Sequence, residues 1–326
     1  SKLNPPAKFY LIDDDQNPLG DRALSHFLKS LVPDYSLKKI QRNIILNKNK
    51  NFDPTKRHAK QFHELDRHTQ WLLRESPYVR KKFYQPDTSS LVKFEASNKK
   101  YREQFYNDVI GRFKYDRLPL NARSRKIYNT KKWIGHEIVL DVFPNVIAYG
   151  VLLLPRDLKA NERRPVVVCQ HGLEGRPQDI IQGDHHAYHD FAAKLADRGF
   201  ITFSPQNLYI FQDRFRTLQR KANPLKKTLF SVIIPQHQQI VDWLKTLDFV
   251  DEKRIAFYGL SYGGKTAMRV PPVVTDYCLS ICSADFNEWV DKNASTRNPY
   301  SYVNSGEYEI FEWDLGSTFN YAEMAG

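Results

Sequence analysis

The residues best able to do chemistry lie in Gly259-Leu260-Ser261-Tyr262-Gly263-Gly264, a serine set between glycines. The apolar run Ile255-Ala256-Phe257-Tyr258 precedes it, and Lys265-Thr266-Ala267-Met268-Arg269 can continue it as a helix. This is the pattern of a sharp strand-to-helix turn. The turn forces the serine into strained backbone angles, and the glycines remove Cβ groups that would clash. It lifts the hydroxyl above the carboxyl ends of the strands and aims the next N–H at a reacting carbonyl. The chemistry implied is nucleophilic attack on an acyl group. The five-residue pattern alone arises by chance in roughly a few per cent of chains of this size, so its flanking elements carry the specificity.

A second element, Gln170-His171-Gly172-Leu173-Glu174-Gly175, follows the apolar run Val166-Val167-Val168-Cys169. Acyl transfer needs two aimed N–H donors for the developing oxyanion. The Leu173 and Tyr262 amides are the candidates, and His171 reads as a residue that shapes the loop. His185, His186 and His189 have no carboxylate or cysteine at a convincing ligand spacing, and they open an amphipathic stretch. They read as surface histidines. Cys278 and Cys282 lie about 13 Å apart on an extended strand, too far for a bridge or a shared metal, and Cys169 reads as a small core residue. Neither a metal nor an organic cofactor is expected.

The elements that must position these residues begin near Trp133. Alternation at Ile134, His136, Ile138 and Leu140, then the run from Val146 to Leu154, predicts two strands joined as a hairpin around Pro144-Asn145. Strands follow at 165–170, 200–204, 254–258 and 277–283. Helices are expected at 187–198, at 228–247 with an interruption near Pro235, and after Ser261. Strands alternating with helices give an α/β architecture with a mostly parallel sheet. Residues 131–326 therefore form the expected core.

Residues 56–130 read as a basic helical extension, the N-terminal helical layer. One helix carries Phe62, Leu65, Thr69 and Leu72 on a single face, and a second runs from about Lys99 to Phe113. Residues 1–55 are a separate segment that resembles the end of a preceding domain. A short strand at 9–12, a helix at 22–31 and a linker at 47–51 are expected there. The net charge of +12 lies wholly in the first 130 residues, with 27 Lys+Arg against 14 Asp+Glu, while the remainder carries 22 against 23. No RNA-binding signature or zinc-finger spacing accompanies it, so it reads as a solvated basic face without specific nucleic-acid binding. No run of 18 apolar residues occurs, and no membrane span is expected. The chain opens on Ser1 without a charged-then-apolar leader, which fits a removed signal peptide or a piece of a longer chain. The compartment is left open, with a lean to an extracytoplasmic one.

The loop at His171-Gly172-Leu173-Glu174-Gly175, Arg198-Gly199-Phe200, the segment from Phe249 to Ile255 and the GLSYGG turn together resemble the acetyl xylan esterase and dienelactone hydrolase group of α/β-hydrolases. The likeness covers roughly residues 131–326. It implies an α/β-hydrolase fold and a serine carboxylic-ester hydrolase with an acyl-serine intermediate. Ser261 matches the nucleophile and Leu173 and Tyr262 the oxyanion donors; a small ester or acetylated carbohydrate is the implied substrate. In this fold the triad runs serine, acid, histidine. All ten histidines precede Ser261, the last being His237. The catalytic histidine is therefore expected beyond Gly326, and the fold is expected to be C-terminally incomplete, lacking its last strands. Asp285 is weighed as the acid, with a loop or capping role preferred. The alternatives are a prolyl-oligopeptidase-like serine peptidase, which shares the SYGG tetrapeptide, and a non-catalytic module of the same fold.

Overall fold

The computed structural model describes residues 11–12, 20–38, 51, 53–305 and 310–326. Phe9 and Tyr10 of the expected first strand, and residues 47–50 of the expected linker, lie outside the described residues. The chain divides into two compact units, Ser1–Ala59 and Lys60–Gly326. In the first unit, α1 (Asp21–Leu31) is a helix with none of its residues buried.

The second unit opens with most of α2 (Pro54–Phe83). Its buried positions are Gln70, Ser76 and Arg80, whereas Phe62, Leu65 and Leu72 are exposed, so the apolar face expected to cover the core does not. Polar bonding decides this: Gln70 donates to the Ala294 carbonyl, and Arg80 meets Glu288 at 3.0 Å. The next helix, α3 (Leu91–Gln104), starts earlier than its expected position near Lys99, because the Ser90 hydroxyl caps it by accepting the Lys93 N–H. A π-helical turn, Phe105–Ile110, continues it and buries Phe105, Val109 and Ile110.

Seven strands form one sheet in the order β1-β2-β3-β5-β4-β6-β7. They are β1 (Arg123–Asn129), β2 (Trp133–Phe143), β3 (Val146–Pro155), β4 (Arg164–Gln170), β5 (Ile201–Pro205), β6 (Val250–Leu260) and β7 (Leu279–Ser283). β1, β2 and β3 pair antiparallel and β3 joins β5 antiparallel, while β5, β4, β6 and β7 pair in parallel. Five of the seven strands thus point the same way. Asn145 closes the β2–β3 hairpin at φ 65, a left-handed angle that asparagine tolerates. β1 lies in the stretch expected to be a helical extension; exposed at five of its seven positions, it shows no period-two burial to betray it.

On the faces of the sheet lie α4 (Phe191–Ala196), α6 (Phe230–Lys245) and α7 (Tyr262–Arg269); the other helices are α5 (Arg214–Ala222), α8 (Trp289–Ala294), α9 (Tyr302–Ser305) and α10 (Tyr321–Ala325), the last packed on α7. Val166 and Val168 of β4 enter the larger core with α6, and Cys169 enters a second core with α4. A strand covered on both sides has no polar face, which accounts for its unbroken apolar run. Pro235 lies inside α6 without breaking it, because Ile233, Ile234 and Ile240 are buried and hold the helix against the sheet. α4 is shorter than expected, since Asp190 at φ 52 ends a preceding turn. Among the described residues no helix is long and apolar enough to cross a membrane.

Candidate active site

Parallel strands bring the loops after β4, β5, β6 and β7 to one edge of the sheet. Ser261 stands there, between β6 and α7, with φ 60 and ψ −117. Outside glycine these angles cost on the order of 1–3 kcal/mol, and the turn is held by a bond from the Ser261 N–H to the Ser283 carbonyl at 2.9 Å. The neighbouring glycines are needed for space. A Cβ on Gly259 would overlap the Gly263 carbonyl, and one on Gly263 would overlap the Gln170 carbonyl. α7 therefore begins directly against the end of β4.

The loop 170–175 runs beside the serine, and a Cβ on Gly172 would lie 3.2 Å from Ser261 Cβ. The Gly172 N–H donates to the Tyr188 hydroxyl at 2.8 Å, the Glu174 N–H to the Tyr209 carbonyl at 2.6 Å, and the Gly175 N–H to the Gly172 carbonyl at 3.2 Å. The Leu173 N–H has no protein partner among the described residues, and Leu173 is 37% exposed. Tyr262 opens α7, so its N–H belongs to the first turn of the helix.

His171 is fully buried. Its Nδ1 lies 2.9 Å from the Gly172 carbonyl, and its Nε2 accepts the Asn207 N–H at 3.2 Å. Both nitrogens are committed, and burial brings its pKa down to about 4. His237 is also fully buried, under the sheet, with Nδ1 3.0 Å from the Tyr277 hydroxyl and its ring against Phe257. Burial lowers it to about 3. Neither ring is placed to take a proton from Ser261. His185 stacks on Tyr188, and His189 pairs with Asp184 at 3.0 Å.

Asp285 follows β7 and accepts a hydrogen bond from the Tyr321 hydroxyl at 2.5 Å. Burial raises its carboxyl to about 6, against the opposing pull of Lys265 and Arg269. Those two cations are buried on α7. Lys265 Nζ lies 3.6 Å from the Tyr262 ring centre and 3.2 Å from the Tyr302 hydroxyl. Arg269 is bonded to Glu312 and Tyr321. A cavity of about 250 Å³, lined by Tyr101, Phe105, Met268 and Phe319 among others, does not include Ser261.

Asn207, Tyr209 and Thr266 also belong to the surroundings of the site, without a sequence signal to mark them. Their side chains meet beneath the site, with Asn207 Nδ2 3.0 Å and the Tyr209 hydroxyl 3.1 Å from Thr266 Oγ1. None of the three lies in a motif, and only their burial in the folded chain connects them.

The strand order, the mostly parallel sheet and the serine at a strained strand-to-helix turn define the α/β-hydrolase fold. Solved structures share it. A candidate acetyl xylan esterase of Bacteroides fragilis NCTC 9343 is 16% identical, with 74% of this chain and 67% of that one covered and a TM-score of 0.58. A glucuronoyl esterase of Solibacter usitatus is 14% identical over 73% of this chain and 74% of that one, with a TM-score of 0.48. Acetyl xylan esterase 1 of Thermoanaerobacterium sp. JW/SL YS485 is 12% identical over 76% of each chain, with a TM-score of 0.44. The fold assignment rests on the first of these and on the sheet order. No protein-family model and no curated protein sequence matches the chain.

Proposed function

We propose that this chain is a serine carboxylic-ester hydrolase that works through an acyl-serine intermediate. Ser261 is the nucleophile, and the Leu173 and Tyr262 amides hold the oxyanion. The observation that carries this reading is the strained Ser261 turn at the edge of the parallel sheet, with the 170–175 loop close beside it. A glycine-backed turn and an N–H without a protein partner are what acyl transfer requires, since donors already in place cost no reorganisation as charge develops. Ser261 Oγ attacks the ester carbonyl, the alcohol leaves, and water then releases the acid from the acyl-enzyme. Both steps need a base in reach of Oγ, and His171 and His237 do not supply it. The likeness in fold to the Bacteroides fragilis protein supports an acetylated carbohydrate as the substrate class.

An active-serine fluorophosphonate probe on the full-length protein tests the reading. Labelling is expected at Ser261 and is expected to vanish in Ser261→Ala. Labelling that survives the substitution refutes the nucleophile assignment. A full-length protein left unlabelled and inert on acetyl esters is better described as a non-catalytic module of this fold.

A further inference from the structure

The two proposed oxyanion donors belong to different elements, Leu173 to the loop after β4 and Tyr262 to the start of α7. Their separation has to be held to a fraction of an ångström for both to reach one oxygen. The segment 206–212, which follows β5, touches both elements, through Glu174 on one side and Thr266 on the other.

On the β4 side, Glu174 grips this segment at three points. Its N–H donates to the Tyr209 carbonyl at 2.6 Å. Its carboxylate accepts the Phe211 N–H at 3.1 Å and the Gln212 N–H at 2.7 Å. Phe211 and Gln212 have φ 65 and 55, two successive left-handed residues without a glycine. That backbone is costly in itself and aims consecutive N–H groups at one anion, so the carboxylate is what holds it there. The Gln206 side chain adds a bond to the Gly175 carbonyl at 3.2 Å, and the Asn207 N–H bonds His171 Nε2.

On the α7 side the contact is Thr266, fully buried and one turn beyond Tyr262. A threonine hydroxyl has one proton and two lone pairs. Here the proton goes to the Tyr262 carbonyl at 3.2 Å. The lone pairs take Asn207 Nδ2 and the Tyr209 hydroxyl, which makes Tyr209 the donor of that pair. Every valence of the hydroxyl is used: two bonds come from the segment and the third goes to the carbonyl of Tyr262, the residue whose N–H is a proposed donor.

We propose that Glu174 and Thr266 are positioning residues of the oxyanion hole, joined by segment 206–212 acting as a strut between its two halves. Neither needs to touch substrate. The inference rests on the serine-hydrolase reading above and deepens it.

The test uses the full-length protein with its natural C-terminus, carrying Glu174→Gln, Thr266→Val, Thr266→Ser or the Glu174→Gln/Thr266→Val double variant. An aryl acetate gives kcat and KM, and the fluorophosphonate gives a labelling rate. A glutamine oxygen cannot serve both N–H groups as a carboxylate does, and valine matches threonine in shape without the hydroxyl. Each is expected to lower kcat and the labelling rate about tenfold with KM nearly unchanged, as a misplaced oxyanion donor would. Thr266→Ser restores the rate. The double variant is expected to fall well short of the product of the two losses, because a strut is released only once. Glu174 is exposed, so Glu174→Gln keeps the test decisive even where Thr266→Val folds poorly. A folded Glu174→Gln protein with wild-type kcat overturns the strut alone. Full-length wild-type protein, carrying its natural C-terminus, that is neither labelled nor active overturns the serine-hydrolase reading and the strut together.

Discussion

Gly172 lies against Ser261 so closely that a Cβ on the glycine would stand 3.2 Å from the serine's own Cβ. The same atom would stand 3.0 Å from the Tyr188 hydroxyl and 3.2 Å from the Leu260 carbonyl. The loop and the turn therefore meet face to face, with no room for a side chain between them.

Gly172→Ala follows from that contact. Three neighbours must each give by a few tenths of an ångström, and the Gly172 N–H bond to Tyr188 is strained with them. Crowding of this kind costs roughly 1–3 kcal/mol. The fold should survive, with urea unfolding shifted by that amount, while fluorophosphonate labelling of Ser261 slows by about tenfold or more. A labelling rate equal to that of the wild type would mean that the loop is not part of the site.

His237 allows a pH prediction whose sign can be worked through. Its pKa is about 3 when folded and 6.5 when free, so the unfolded chain binds the extra proton between those values. Stability contributed by the neutral ring is complete above pH 6.5 and is lost as pH falls toward 3. By pH 5 the loss is about 2 kcal/mol. His171, at about 4, acts in the same direction. Asp285, raised to about 6, acts in the opposite one, its contribution fading as pH rises through 6. His237→Phe removes one of these titrations. Relative to wild type it should be weaker at pH 7, where the bond to Tyr277 is missed, and should gain about 2 kcal/mol on the wild type by pH 5. Denaturant melts at the two pH values measure this. Parallel losses in the two proteins would show that His237 is not buried as a neutral ring.

The pair Arg269–Glu312 is fully buried on both sides. Glu312 also accepts from the Trp289 indole at 3.2 Å, and Arg269 donates to the Lys265 carbonyl at 2.8 Å. Removing one partner leaves an uncompensated charge in the interior, at a cost of about 3–5 kcal/mol. Glu312→Ala should destabilise by that amount, and the double variant Arg269→Met/Glu312→Leu by much less. Equal losses in the single and double variants would show that packing, rather than the charge, carries the effect.

Much of the fold can be read in local pattern. β2 and β3 show in their alternation and apolar run, β4 and β6 in runs bounded by polar residues, and the Ser261 turn in its glycines. Each depends on neighbours within a few positions, where side-chain period and backbone sterics act directly. What local pattern misread is equally specific. β1 falls in the stretch that reads as a helical extension, because five of its seven positions are exposed and no alternation marks it.

The chain sequence by itself determined a serine on a strained turn and a glycine-bearing loop after a buried strand. Tertiary structure alone decided what stands around them. His171 is committed to Gly172 and Asn207, Phe62 and Leu65 of α2 are exposed while Arg80 is buried, and Glu174 and Thr266 are joined through Tyr209. The physical reason is distance along the chain. Glu174, Tyr209 and Thr266 are separated by tens of residues, and no periodicity records a hydrogen bond that exists only after the sheet has brought three loops to one edge.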